Sequence, residues 1–216
     1  HVHKQELCNK HYSLQSRLRL FEGTISPSVL YGCETWTITQ PLAHKLKKTQ
    51  RSMLRKIFGK SRRVLADSEQ TENRTNSSSE EDEDESISTG NLHTELEPWH
   101  VWVQRVTKDI EGHCERLGID DWLTSHWKRK WRWAGQTIRR ADERWSKQIL
   151  YWDPLSMKNS SQSRRAYRRV GRPKKRWADE LISFWSDYDV DWRFAAIDEN
   201  TWTLHEEDFL KHVQQL

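Results

Sequence analysis

Thirteen tryptophans set the terms on which this 216-residue chain can fold, because little else in it can build a core. Only 34% of its residues are hydrophobic and 31% are charged. Such a composition predicts small helical units with thin cores and wide solvated faces. Each Trp buries a large area and can anchor a core of that kind. Six of the 13 fall between His126 and Ala178: Trp127, Trp131, Trp133, Trp145, Trp152 and Trp177. The same interval holds 17 Lys and Arg against 3 Asp and Glu, a local net charge of +14. Positive charge draws a phosphate backbone, and flat rings either build a core or stack on bases. The centre of the chain therefore points to nucleic acid and away from catalysis.

The overall charge of +4 hides a strong partition. Residues 1–63 carry a net +10 and residues 64–97 a net −10, while residues 179–216 hold 2 basic and 10 acidic side chains. The run Asn76-Ser-Ser-Ser-Glu-Glu-Asp-Glu-Asp-Glu85 is of low complexity and dense in like charge, which predicts a disordered acidic linker over 64–97. A solvated spacer is the plain reading; the alternative is an acidic segment that occupies the basic face when nucleic acid is absent. Helical parts are expected on either side, over 1–63 and over a Trp-rich basic module at 98–216. Cys8, Cys33 and Cys114 are odd in number and widely spaced, so they form neither a disulfide framework nor a paired Cys-x-x-Cys ligand set. A reducing, intracellular compartment is expected, nuclear or cytoplasmic. No hydrophobic run approaches a membrane span and no signal-peptide core is present, so no membrane partner is expected. The chain begins with His1 and not Met, as a piece of a longer translation product would.

Apolar periodicity predicts helices through most of the remainder. Leu14, Leu18, Phe21 and Ile25 recur at helical spacing, ending near Ser26-Pro27. Val29 to Thr39 is β-branched and aromatic with Gly32 inside it, which leaves strand, helix and extended loop all open. Pro41 suits a first helical turn, and Leu42, Leu46, Met53 and Ile57 continue at helical spacing to a stop at Gly59. Lys47, Lys48, Arg51 and Arg55 lie away from that apolar stripe. Beyond the linker, Trp99, Trp102, Val103, Val106, Ile110, Cys114 and Leu117 fit one helical face closed by Gly118. Asp120 can cap the next helix, in which Trp127, Trp131, Ala134 and Ile138 align in a narrow arc. Opposite them lie Arg129, Arg132, Gln136, Arg139 and Arg140, with Trp133 on the same basic side. A short helix or turn follows around Trp145, Ile149 and Trp152, then a polar loop from Met157 to Arg172. Pro173 opens a further helix with Trp177, Leu181, Phe184 and Trp185 inward, and Leu204 to Val213 form the last, with Phe209 and Val213 inward. The fold class is all-α.

Several of these stretches carry a family resemblance. Val29-Leu-Tyr-Gly-Cys-Glu-Thr-Trp-Thr-Ile38 resembles the segment that follows the polymerase core of non-LTR (LINE-type) retrotransposon reverse transcriptases. Arg51-Ser-Met-Leu-Arg-Lys-Ile-Phe-Gly59 is similar to a helix end found there, with Gln50 where that family often has Glu. Glu97-Pro-Trp-x-x-Trp-Val-Gln-Arg105, Lys130-Trp-Arg-Trp-Ala-Gly135, Arg144-Trp-Ser-Lys147 and Gly171-Arg-Pro-Lys-Lys-Arg-Trp-Ala-Asp179 resemble successive later blocks. Trp202 with Glu206-Glu-Asp-Phe209 looks like the closing one. The resemblance runs in order along nearly the whole chain and passes over the acidic linker. It implies a thumb-like segment at 1–63, lining a template-primer duplex, and a post-polymerase module after it. An upstream polymerase core, with the Mg²⁺ ions it would need, is then the expected partner, together with RNA or DNA. Such polymerases hold two metal ions on aspartates of an aromatic-x-Asp-Asp turn. The adjacent pair Asp120-Asp121 has Gly118 where the aromatic would stand and reads as a helix cap. No catalytic residue, cofactor or metal ligand is expected in this stretch itself.

The candidate contacts to nucleic acid are therefore cations and one ring. Arg129, Arg132, Arg139 and Arg140 surround Trp133, which either stacks on an unpaired base or packs against a neighbouring helix. Lys48, Arg51 and Arg55 are the phosphate contacts expected of the thumb-like helix. Arg168, Arg169, Gly171, Arg172, Pro173, Lys174, Lys175 and Arg176 are similar to an AT-hook, whose extended Arg-Gly-Arg-Pro core enters the A·T minor groove. Val170 replaces the first Arg of that core, so sequence-blind phosphate contact, a solvated basic loop and a nuclear-import signal stay open beside it. Trp127, Trp131, Trp177 and Trp185 are expected in the core. Two incomplete pairs, His113-Cys114 and Cys8-x-x-His11, fall short of a zinc ligand set. Spacings of 18 and 19 from Trp127 to Trp145 and from Trp133 to Trp152 are similar to a Myb-like DNA-binding adaptor. Trp127 and Trp131 on one helix conflict with one Trp per helix. A decayed, non-functional remnant is a further alternative.

Overall fold

The computed structural model describes residues 4–65, 96–142, 144–151 and 175–215. These residues form helices α1 (Lys4–Cys8), α2 (Leu14–Val29), α3 (Gln40–Phe58), α4 (Trp99–Arg116), α5 (Trp122–Arg139), α6 (Trp145–Tyr151), α7 (Asp179–Ser186), α8 (Trp192–Ala195), α9 (Glu199–Leu204) and α10 (Glu206–Gln215). Among the described residues the all-α expectation holds, with one isolated antiparallel bridge between Val64 and Leu96. The acidic run at 76–85 and the loop from Met157 to Arg172 lie outside the described residues.

Local chemistry sets most helix ends. The Ser13 hydroxyl accepts from the Ser16 N–H at 3.1 Å and opens α2. That helix continues to Val29, three residues past the expected stop at Ser26. Pro27 removes one backbone hydrogen bond, yet Thr24 and Ser28 hydroxyls bond back to the Leu20 and Thr24 carbonyls, and Leu30 N–H donates to Ser26 O. The segment left open after Val29 becomes a turn, a short 3-10 helix at Cys33–Thr35 and an extended stretch. Gly59 and Gly118 both take the left-handed conformation, φ 64° and 65°, and end α3 and α4 as their positions imply. The cap of α5 is Asp121, whose carboxylate accepts from Leu123 and Thr124 N–H groups; Asp120, the expected cap, pairs instead with Lys128 at 2.6 Å. Helix α7 starts at Asp179 rather than Pro173, and α10 at Glu206 rather than Leu204. The short helices α8 and α9 escaped the periodicity because each is about one turn long.

Two apolar clusters hold the helices together, and each draws on both sides of the 66–95 stretch. The first joins Leu18, Phe21, Leu30, Leu54 and Ile57 to Val106, Ile110, Cys114 and Trp122. Trp122 stacks on Phe21 with ring centres 5.8 Å apart, and its indole N–H donates to the Ser26 hydroxyl at 2.8 Å. The buried Gln50 side chain accepts from the Trp122 backbone N–H at 2.8 Å, so α3 supplies a second cap for α5. The second cluster joins Ile38 to Trp127, Trp131, Ile138, Leu181, Phe184, Trp185, Trp192, Trp202 and Phe209. The helices before residue 66 and after residue 95 thus contribute to both cores. Val64 and Leu96, at the two edges of the segment expected to be a linker, form a clip: Glu97 N–H donates to Arg63 O at 2.8 Å beside the Val64–Leu96 bridge.

Trp131 and Trp202 form the centre of the second core. Their rings stack 3.8 Å apart at 11°. Each indole N–H donates to the other residue's backbone carbonyl, at 3.1 and 3.0 Å, which removes the usual cost of burying an indole donor. Trp127 and Trp185 are buried as expected, and Trp177 packs against the cluster half-buried. Trp99, which its spacing puts on one helical face with Val106, Ile110 and Cys114, is 63% exposed where those three are buried.

Candidate nucleic-acid interface

Helix α5 carries the block Lys130-Trp-Arg-Trp-Ala-Gly135, and the structure gives most of its members a packing role. Lys130 is fully buried despite lying in the basic stretch of the sequence. Its ammonium is 2.8 Å from Glu180 Oε2 and lies over the rings of Trp127 and Trp177 at 5.2 and 4.8 Å. Lys175 approaches the other oxygen of Glu180 at 2.6 Å, outside hydrogen-bonding alignment, so this contact is charge pairing. Burial pushes the Lys130 pKa down and Glu180 opposes it. His126, one turn earlier, is buried between Trp36 and Trp127, with no well-aligned hydrogen bond at either ring nitrogen and only the Cys33 backbone as a weak polar neighbour. Burial, and secondarily the Lys130 charge, hold its pKa down to about 4, so the ring is neutral at pH 7. Gly135 lies under Trp202: a methyl group there would come within 2.6 Å of the indole nitrogen. Only the polarity of Lys130 hinted at such a cluster, and its position one residue from Trp131 was the available signal.

The remaining cations of α5 divide into two adjacent stripes. Lys128, Arg132 and Arg139 face carboxylates: Lys128 pairs with Asp120, and Arg139 lies 3.7 Å from Glu199 while donating to Ala196 O at 3.0 Å. Arg132 makes a two-pronged contact with Glu206, closest at 2.7 Å, which raises its pKa. The neighbouring stripe is Arg129, Trp133 and Gln136, spaced four and three residues apart on one helical face, with Arg140 following at the extended C-cap of the helix. Arg129 and Arg140 are exposed, and no carboxylate pairs with either among the described residues. Arg129 donates to Leu30 O at 3.2 Å, where its charge also opposes the upward push that burial gives the Cys33 thiol. Trp133 is half-buried, its ring edge-on to Trp177 at 5.3 Å, so packing against a neighbouring segment occupies one of its faces.

The other candidates are scattered by the fold. Arg51 and Arg55 turn toward α4, where Arg51 pairs with Glu111 at 2.7 Å and Arg55 donates to the Thr107 hydroxyl at 3.1 Å. Lys48 is exposed on α3, one turn before Arg51. Lys175 is drawn inward by Glu180, and the Arg176 backbone N–H donates to Asp179 at 2.6 Å. Arg168, Arg169, Gly171, Arg172, Pro173 and Lys174 lie outside the described residues.

Among the described residues, no three His, Cys, Asp or Glu side chains gather as a metal site, and no helix is long and apolar enough to cross a membrane. Asp120 and Asp121 are both engaged, by Lys128 and by the α5 N-terminus, so this pair does not fit the metal-holding aspartates of a polymerase.

No family model matches the chain, and no solved structure matches it. A Caenorhabditis elegans protein named as an uncharacterized transposon-derived protein is 27% identical over 192 residues, covering 86% of this chain and 52% of that protein. The chain spans about half the length of that relative. On the combined evidence of that alignment and its reach across both cores, the chain is a distant relative of a protein named as transposon-derived.

Proposed function

We propose that this chain is a non-catalytic, nucleic-acid-binding C-terminal part of a non-LTR retrotransposon reverse transcriptase. In that role it holds element RNA or nicked target DNA while an upstream polymerase core extends the primer. The observation that carries the reading is the stripe of Arg129, Gln136 and Arg140 beside the half-buried Trp133, its three polar side chains exposed and its arginines without carboxylate partners among the described residues. The similarity to a transposon-derived protein supports the setting. Phosphate contacts release counterions, so affinity must fall steeply with salt.

The test is fluorescence anisotropy of the full chain with labelled 15-nucleotide single strands and 15-base-pair duplexes, from low to physiological salt. Arg129→Ala/Arg140→Ala is expected to reduce the slope of log affinity against log salt by about 2. Arg132→Ala is expected to change it less, because Glu206 already neutralises that side chain. Absence of binding, or affinity that is flat across salt, would refute the proposal.

A further inference from the structure

We infer that the Trp99–Trp102 pair at the start of α4 is a stacking platform for unpaired bases, which makes single-stranded nucleic acid the substrate class. The inference rests on the nucleic-acid reading above but on different residues. Trp99 is 63% exposed, directly after Pro98 in the first turn of α4. Its ring centre lies 4.6 Å from that of Trp102, tilted by 32°. Trp102 is the fixed member: its indole N–H donates to Lys60 O at 3.1 Å, and its ring packs on the first core. Trp99 is therefore held by its neighbour and keeps most of its surface open. A rigid ring pair loses little freedom when a third ring stacks on it.

The rim favours phosphate over an acidic or neutral partner. Arg62 is held in place by donating to the Glu97 and Leu96 carbonyls, at 2.6 and 3.2 Å, and Arg63 is exposed. Neither pairs with a carboxylate among the described residues. The carboxylates nearby are already engaged. Glu97 takes both arms of Arg105 at 2.9 and 2.7 Å, a contact that holds its carboxyl down to about 2. Asp109 takes Lys60 at 2.9 Å. Arg62 thus holds a guanidinium against the Leu96 and Glu97 carbonyls, three and two residues before the open indole, and Arg63 adds an exposed cation whose charge also reaches the Glu97 and Asp109 carboxylates; charge close to a ring is the pairing that single-strand binders use. Bases inside a duplex cover each other's faces, so a single strand offers Trp99 a base at every position where a duplex offers one only at its ends.

The experiment uses the full chain, an oligothymidylate 15-mer and a 15-base-pair duplex in the same buffer. Trp99→Ala is expected to weaken the single strand about tenfold while leaving the duplex within about twofold. Trp99→Phe, which keeps a ring, should recover most of the loss. An unchanged single-strand affinity for Trp99→Ala assigns the patch to a protein contact and overturns the inference. Equal losses on single strand and duplex overturn it as well. If the parent chain binds neither probe, the nucleic-acid reading itself fails. If Arg129→Ala/Arg140→Ala weakens binding and Trp99→Ala does not, only the stacking platform falls.

Discussion

Glu180→Gln is expected to destabilise this fold by about 3 kcal/mol, the lower end of what removing one member of a buried ion pair costs. The figure follows from where the three charges sit. Lys130 is 0% and Glu180 1% exposed at the side chain, and they are 2.8 Å apart. Lys175 is 35% exposed and can turn to water once the carboxylate is gone. Lys130 has no such exit. Its remaining partners would be the faces of Trp127 and Trp177, at 5.2 and 4.8 Å, and the neutral glutamine oxygen. Those contacts place the cost at the lower end, since a desolvated cation over an indole recovers about 2 kcal/mol. For a chain of this size 1 kcal/mol moves the melting temperature by about 2–4 °C, so a drop of about 6–12 °C is expected. Thermal unfolding followed by circular dichroism at pH 7 measures it. Lys130→Met/Glu180→Leu should recover most of the loss, because an apolar pair of similar volume needs no compensation. A Glu180→Gln melting temperature within about 2 °C of the parent would show that the pair is not the electrostatic anchor inferred here.

Two further outcomes concern the same helix. His126 has a folded pKa of about 4 against an ordinary 6.5, so the unfolded chain takes up the proton first as pH falls. The stability linked to it is fully present above 6.5 and is lost as pH falls toward 4, by about 1.4 kcal/mol per pH unit. Urea unfolding at pH 7, 5.5 and 4.5 should show that slope, and His126→Phe should flatten it; an unchanged slope in that variant would place the titration elsewhere. Gly135→Ala forces a methyl group to 2.6 Å from the Trp202 indole, which is stacked on Trp131 and cannot swing away. Overpacking of about 1–3 kcal/mol should outweigh the helix-propensity gain of about 1 kcal/mol, read as a lower urea midpoint. A midpoint at or above that of the parent would mean the Trp131–Trp202 stack has room to shift.

Secondary structure was readable from neighbours along the chain. Gly59 and Gly118 end helices because a residue without a side chain reaches φ near 65° at little cost, and this is a property of the residue itself. The stops at Ser26-Pro27 and the starts at Pro173 and Leu204 were placed less well. There, hydroxyl back-bonding around Pro27 and the His205 break between α9 and α10 override the local signal. The exposure of Trp99 was not readable, because helical spacing locates a face but not what lies against it.

The candidate interface was readable only as a pool of cations. In the sequence Arg132 and Arg140 are equivalent, and Lys130 is one more positive charge beside them. Partners that the fold brings from far along the chain separate them: Glu180, 50 residues from Lys130, and Glu206, 74 residues from Arg132. Arg51 is engaged by Glu111 across 60 residues in the same way. Residue types and spacing thus specified helices through the described residues, their glycine stops, the Trp residues of the second core and a basic centre, because those depend on interactions within a turn or two. Which positive charges stay open to phosphate depends on charge pairing between distant segments, and that was settled when α5 packed against the acidic C-terminal helices.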